Sequence, residues 1–247
     1  MTLTLADYGR IIYRLVLLIP LLILIMVLQS LALLTRTTLR EIIPIGFHRL
    51  LLRAWQVEVR VFGNADMGCQ FFVANHYSWF DVFPLGAHLP ICFVAKDEMR
   101  HWLFLGTLAR LQRSVFVNRK IGKHIIAETQ NLYRRWLAGD NILIFPEATT
   151  TPGLSPLPFK GTFFAPLIAI AQAQNQEQAS APKAVLVQPI SLCYKMGKGV
   201  ALGRGQRLPY GWLGQVGFVR HFFYTLACPN LTIDMVFNPA IAVQADT

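Results

Sequence analysis

From Leu15 to Thr35 the chain carries no charged side chain, with Arg14 and Arg36 bounding the run. At ~1.5 Å per residue the run is long enough to cross a hydrocarbon core of ~30 Å as one helix. Pro20 within it, and Gln29 and Ser30 near its end, leave open a helix lying tilted or partly embedded. A signal peptide fits less well, since the apolar run is longer than a usual one and no A-x-A site follows. Between Ile42 and Trp55 the apolar residues Ile42, Ile43, Phe47, Leu50, Leu51 and Ala54 recur at helical spacing, although Pro44 and Gly46 disturb the first turn. Such a helix either lies on a membrane surface with its arginines at headgroups or packs on a core.

After Trp55 the pattern changes. Val57 to Val61 alternates like a strand, Phe71 to Ala74 and Ile91 to Ala95 are short apolar strands, and Gly122 to Leu137 reads as a helix. Asn141 to Phe145 reads as a buried strand, Phe163 to Ala173 as a helix, and Ala184 to Tyr194 as a strand interrupted by Pro189. Interleaved strands and helices of this kind predict an α/β fold: one domain over residues 57–247 with a largely buried central sheet flanked by helices. Residues 1–56 form a membrane anchor and amphipathic helix in this reading.

Composition supports the membrane and narrows the partner. Hydrophobic residues make up 54% of the 247, charged residues only 15%, and the formal net charge is +10. The balance points to an anionic partner: a lipid surface, a nucleic acid or an acidic carrier protein. Lys195, Lys198, Arg204 and Arg207 lie among glycines but follow no nucleic-acid-binding signature, so nucleic acid is not expected. Arg36, Arg40, Arg49 and Arg53 follow the apolar run with Glu41 the only acid among them, against Arg10 and Arg14 before it. That places the rest of the chain on the cytoplasmic side. Cys69, Cys92, Cys193 and Cys228 form no C-x-x-C pair and the histidines no H-E-x-x-H, so no metal is expected.

Two strand ends carry candidate chemistry. The strand to Ala74 runs into Asn75-His76-Tyr77-Ser78-Trp79-Phe80-Asp81, which sets an imidazole and a carboxylate where α/β sheets tend to keep their sites. An imidazole there can act as general base, with a carboxylate on its other nitrogen fixing the tautomer. Taken alone, a histidine and an aspartate five apart are commoner as structural residues. The strand to Phe145 runs into Pro146-Glu147-Ala148-Thr149-Thr150-Thr151-Pro152-Gly153, a turn-rich loop of amides and hydroxyls in which Glu147 can accept from a substrate hydroxyl.

Asn75-His76-x4-Asp81 followed by Phe145-Pro146-Glu147 resembles the glycerolipid acyltransferases. Three further blocks agree in order: Phe93-Val94-Ala95-Lys96, Phe116-Val117-Asn118-Arg119 and Val187-Gln188-Pro189-Ile190. The likeness spans roughly Val57 to Val236. It implies transfer of an acyl group from acyl-ACP or acyl-CoA to the free hydroxyl of a lysolipid, without a further cofactor. In it His76 is the base, Asp81 its partner, and Lys96, Asn118, Arg119, Glu147, Ala148, Thr149 and Thr150 hold the acceptor. Arg113 and Lys120 lie near the acceptor block and read equally well as surface charges.

Where most such proteins have Gly-Thr-Arg after the glutamate, this chain has Ala148-Thr149-Thr150, one cation fewer beside a headgroup phosphate. Threonine there, with Arg207-Leu208-Pro209-Tyr210-Gly211-Trp212-Leu213-Gly214, resembles a subset that includes lyso-ornithine-lipid O-acyltransferases and some lysophosphocholine acyltransferases. A zwitterionic lysolipid is therefore expected ahead of 1-acylglycerol 3-phosphate. The methyl of Ala148 is expected to exclude the positive-φ backbone that glycine would allow. The alternatives are an acyltransferase-like lipid-binding protein with impaired catalysis and a membrane-tethered nucleic-acid-binding protein.

Overall fold

Strands apolar on both faces, such as Phe71–Ala74, need cover on both sides, and a mainly parallel sheet between helices supplies it. The structure, a computed structural model, describes residues 3–117, 125–151, 153, 155–176, 184–197, 199–212 and 216–243, with backbone alone at 125–129, 173–176 and 204. In chain order the elements are α1 (Leu5–Leu34), α2 (Leu39–Ala54), β1 (Val57–Phe62), β2 (Phe71–Ala74), α3 (Val82–Gly86), β3 (Ile91–Lys96), α4 (Leu105–Leu111), β4 (Val115–Val117) and α5 (Ile125–Leu137). There follow β5 (Asn141–Ile144), α6 (Ala165–Gln176), β6 (Leu186–Gly197), β7 (Val200–Ala201), α7 (Arg204–Arg207), α8 (Phe218–Ala227), β8 (Leu231–Phe237) and β9 (Ile241–Ala242). The sheet runs β1-β8-β6-β2-β5-β3-β4, with β7 and β9 on β6. From β6 to β4 neighbouring strands are parallel; β8 is antiparallel to β6 and parallel to β1.

Side-chain alternation sorts the strands onto two cores. Phe72, Ala74, Phe93, Leu143, Phe145, Ile190 and Ile233 face Ile11 of α1, Leu51 and Leu52 of α2, Leu85 of α3 and Leu226 of α8. Phe71, Val73, Val94, Val115, Val117, Ile142 and Ile144 face Leu132 and Trp136 of α5 and Leu167 and Ile170 of α6.

Pro189 does not interrupt its strand, as the sequence suggested. It stays in register with Val73 of β2, while its carbonyl accepts from Asn238 N at 2.9 Å on the other side. The missing N–H falls in the gap between β9, which pairs residues 186 and 187, and β8, which starts at Ile190. The helix expected from Gly122 is described from Ile125, residues 122–124 lying outside the described set.

Among the described residues one helix, α1, is long and apolar enough to cross a membrane, and only 11% of its most apolar window is buried. It nevertheless lies against the domain. Arg14, expected as a charge flanking the apolar run, is buried: it donates to the carbonyls of Ala54 (3.2 Å), Trp55 (2.8 Å), Leu226 (2.7 Å) and Cys228 (2.7 Å). Gln29, about 22 Å further along the helix, donates to the carbonyls of Arg40 and Leu111, both at 2.9 Å. The opposite side of α1 exposes Ile12, Val16, Ile19, Ile23, Val27 and Leu31. Helix α2 divides its surface, with Leu51 and Leu52 in the core and Leu39, Ile42 and Leu50 exposed. Of its arginines, Arg49, though exposed, donates to the carbonyl of Ala87 at 2.8 Å.

His48 of α2 is fully buried against Gly86, where an added Cβ would come within 2.1 Å of its Nδ1. Burial lowers its pKa to about 4, offset in part by a backbone contact to Gly86. A histidine depressed in the folded state is protonated first in the unfolded chain, so its contribution is complete above about pH 6.5 and is lost as pH falls towards 4. Between pH 7.5 and 5 we expect it to cost about 2 kcal/mol. His48→Leu should flatten that part of the pH dependence in detergent unfolding experiments, and an unchanged slope would contradict this account.

Candidate active site

The chain leaves β2 under tight control. Asn75 Nδ2 donates to Leu192 O at 3.0 Å and its Oδ1 accepts from Leu192 N at 2.7 Å, stitching the end of β2 to β6. His76 follows, its ring stacked on Phe145 at 4.0 Å and 17°. The turn Trp79–Asp81 then brings the carboxylate back, so that His76 Nδ1 lies 3.0 Å from Asp81 Oδ2. The five-residue spacing is the link Tyr77–Ser78 plus that three-residue turn.

Asp81 is 0% exposed, and both its oxygens are engaged. Oδ2 also accepts from Tyr77 N (2.6 Å) and Ser78 N (2.8 Å), and Oδ1 from Tyr194 Oη (2.7 Å). Burial, and then the neighbouring Asp81 charge, push the Tyr194 phenol well above its ordinary range, which keeps it a donor. A carboxylate in this cage accepts from Nδ1 and leaves the lone pair on His76 Nε2, directed away from Asp81. The His76 side chain is 20% exposed. The arrangement can take a proton at Nε2 and share the resulting charge with a buried carboxylate.

The loop after β5 does something the sequence did not indicate. Glu147, expected to accept from a substrate hydroxyl, is 1% exposed, and both its oxygens are taken by backbone amides: His76 N at 2.8 Å and Leu157 N at 2.9 Å. It braces the loop rather than facing a ligand. Thr151 N donates to His76 O at 2.9 Å, so the loop holds both polar backbone groups of the histidine. Ala148 adopts φ +61°, the conformation its methyl was expected to exclude, at the end of a turn closed by its amide on Phe145 O at 3.1 Å. Gly153 is needed twice, for φ +66° and because a Cβ would meet the Tyr77 ring at 2.0 Å. Thr149 is exposed, whereas the Thr150 hydroxyl donates to Trp212 O and pins the segment that follows α7. Tyr77 Oη donates to Arg207 O from the same side.

Lys96 ends β3 and is exposed, paired in the ladder with Val117. Asn118, Arg119 and Lys120, which follow β4 directly, lie outside the described residues, as do Leu213 and Gly214. Phe93, Leu143 and Phe72 stand level across the sheet. Three residues further along each chain come Lys96, Pro146 and Asn75, which sets Lys96 two strands, roughly 10 Å, from the turn carrying His76. Arg113 is an internal tie, paired with Glu41 at 3.2 Å and with Asp140. Sequence reasoning missed Tyr194, 113 positions from Asp81, and the bracing role of Glu147. No local pattern marks the first, and the second shows only once both loops are in place.

The acyltransferase family model matches residues 63–192, which hold both loops. A lyso-ornithine lipid O-acyltransferase of Brucella abortus is 34% identical over 206 residues, 83% of this chain and 75% of that protein. A 1-acyl-sn-glycerol-3-phosphate acyltransferase of Neisseria gonorrhoeae is 38% identical over 91 residues, 37% of this chain and 36% of that one. The crystal structure of the 1-acyl-sn-glycerophosphate acyltransferase PlsC from Thermotoga maritima shares the fold at a TM-score of 0.59 and 17% identity, covering 96% of this chain and 85% of that one. With the family model spanning both strand-end loops and a relative this similar over most of its length, the chain belongs to the acyltransferase family.

Proposed function

We propose that this acyltransferase moves a fatty acyl group from a thioester, acyl-ACP or acyl-CoA, to the hydroxyl of a lysolipid, with His76 as general base. The observation that supports this most is the bond from His76 Nδ1 to a caged Asp81, which leaves Nε2 as the free proton acceptor. The acceptor hydroxyl gives its proton to Nε2 while its oxygen attacks the thioester carbonyl carbon. The tetrahedral adduct collapses with loss of the C–S bond, and the departing thiolate takes the proton back from His76. Asp81 stabilises the imidazolium between those steps and holds the ring's orientation. No acyl-enzyme forms.

Lys96, with Asn118 and Arg119, holds the acceptor headgroup in this reading, beside exposed Thr149. The name of the Brucella relative and the absence of a cation at Thr150 both support a zwitterionic acceptor such as a lyso-ornithine lipid over 1-acylglycerol 3-phosphate. A phosphomonoester, carrying about −1.5 to −2 charges, needs more positive contacts to leave water. The protein works at the cytoplasmic face of a membrane. Because α1 is tied to the domain at both Arg14 and Gln29, it lies lengthwise in the membrane surface with its apolar side in lipid, rather than standing clear of the domain as a span.

His76→Ala should lower kcat by ~10²–10⁴ with little change in melting temperature; activity within twofold of wild type would remove His76 as the base. Thr150→Arg should raise the ratio of kcat/KM for 1-acylglycerol 3-phosphate over the zwitterionic acceptor. Thr150→Val, which loses the bond to Trp212 without adding charge, should not. A wild type that already strongly prefers the phosphate acceptor would overturn the headgroup assignment. Ala148→Gly should stabilise the fold by about 1 kcal/mol, since it relieves a left-handed alanine. A lower melting temperature would show that the methyl's packing outweighs the backbone cost.

A further inference from the structure

A second apolar element sits on the surface beside α1. Between β3 and α4 the chain exposes three large apolar side chains in a row: Trp102 (43%), Leu103 (95%) and Phe104 (54%). Burial on the domain cannot explain them, and a patch of this kind next to other apolar surface marks an interaction site. The neighbouring surface is α1: α4 packs against it, and Gln29 of α1 is bonded to Leu111 O at the far end of α4. The row, at the other end of α4, therefore stands off the line of α1 by about the length of that helix, roughly 10 Å.

Cations flank it. Behind the row, over the edge strand β4, opens a cleft of about 390 Å³ lined by Arg100, Arg110, Arg113, Ser114, Phe116 and Arg135. Among the described residues no carboxylate lines it. Asp97 pairs with Arg100 at 3.3 Å, and Asp140 and Glu41 take up Arg113 and Arg135. Arg110 of α4 bonds Arg100 O and Thr107 Oγ1, both neutral, and is exposed; Arg100 also lies over the Phe116 ring at 5.1 Å. Exposed leucine and phenylalanine beside a tryptophan, with Arg100 and Arg110 close by in the chain, are the residue types that suit the hydrocarbon, interface and phosphate levels of a bilayer leaflet.

We propose that Trp102–Phe104 is a second membrane-inserting element, and that the arginine cleft above it receives the phosphate of an anionic phospholipid in the same leaflet. The assignment rests on the reading that the enzyme works at a membrane surface, and it extends the contact from α1 to the open edge of the sheet. Its function is to fix the tilt of the domain: α1 alone is a line of attachment about which the domain can roll, and a second point off that line stops the rotation.

The full chain, carrying His76→Ala so that no turnover intervenes, is reconstituted in vesicles whose acyl chains bear bromine. Trp102 should be quenched, so Trp102→Phe should lower the quenched share of the total emission; an unchanged share would place Trp102 away from lipid and overturn the proposal. In the active chain, Leu103→Asp with Phe104→Ser should cut activity on vesicle-borne acceptor about tenfold and leave activity on a short-chain acceptor dissolved in detergent within twofold. An equal loss in both would make the row part of the fold or the reaction and count against insertion. Arg110→Ala should reduce stimulation by anionic over zwitterionic vesicles roughly fivefold, the worth of one cation at a charged leaflet. If it instead raises KM for the thioester donor equally in detergent and in vesicles, the cleft holds the donor's phosphate and the lipid assignment is wrong. Because the quenching needs no catalysis, its failure is separable from failure of the acyl-transfer reading.

Discussion

A carboxylate with no exposure to water must have its charge met inside the protein, and around Asp81 this requirement organises the rest. Two backbone amides, one phenol and one imidazole converge on its two oxygens. Buried charge without such partners costs several kcal/mol or more, so the four donors are fixed as firmly as the acid itself. The amides of Tyr77 and Ser78 set the turn, the phenol of Tyr194 ties that turn to β6, and the imidazole is left in one orientation and one tautomer. An electrostatic necessity of folding thus fixes which ring nitrogen of the histidine is left facing away from the carboxylate.

The second loop does for the histidine backbone what Asp81 does for its ring. Glu147 and Thr151 hold the N–H and the C=O of His76, and Phe145 lies flat beneath the imidazole, itself parallel to Phe93 on the next strand. Parallel strands end at one edge, so residues more than 70 positions apart become neighbours there. The sheet itself supplies the precision, and the loops inherit it.

Much of this was legible in the residues. Apolar runs of strand length between helical patterns announced a covered α/β sheet, and the two motifs at strand ends proved to be loops that the fold bonds to each other. Glu147 was misread because a carboxylate in a polar loop looks available. Its two amide donors come from chain segments on either side, and only the closed loop shows that they use it up. Ala148 was misread from the opposite direction: a rule about alanine was applied as an exclusion, whereas the fold accepts the left-handed conformation at moderate cost. Pro189 looked like a strand break because the sequence cannot show that its neighbours on one side, β8 and β9, leave a gap opposite its nitrogen. Tyr194 was out of reach, since its partner is identified by the order of strands in the sheet.

Arg14 carries a consequence for how the chain is made. Its four carbonyl partners belong to residues 54, 55, 226 and 228, so the first helix emerges long before half of its socket exists. At ordinary synthesis rates of about 5–20 residues per second, on the order of ten to forty seconds separate the appearance of Arg14 from that of Cys228. During that interval an apolar helix is free to find lipid while its guanidinium waits in the headgroup layer, and only the last tenth of the chain can seat it.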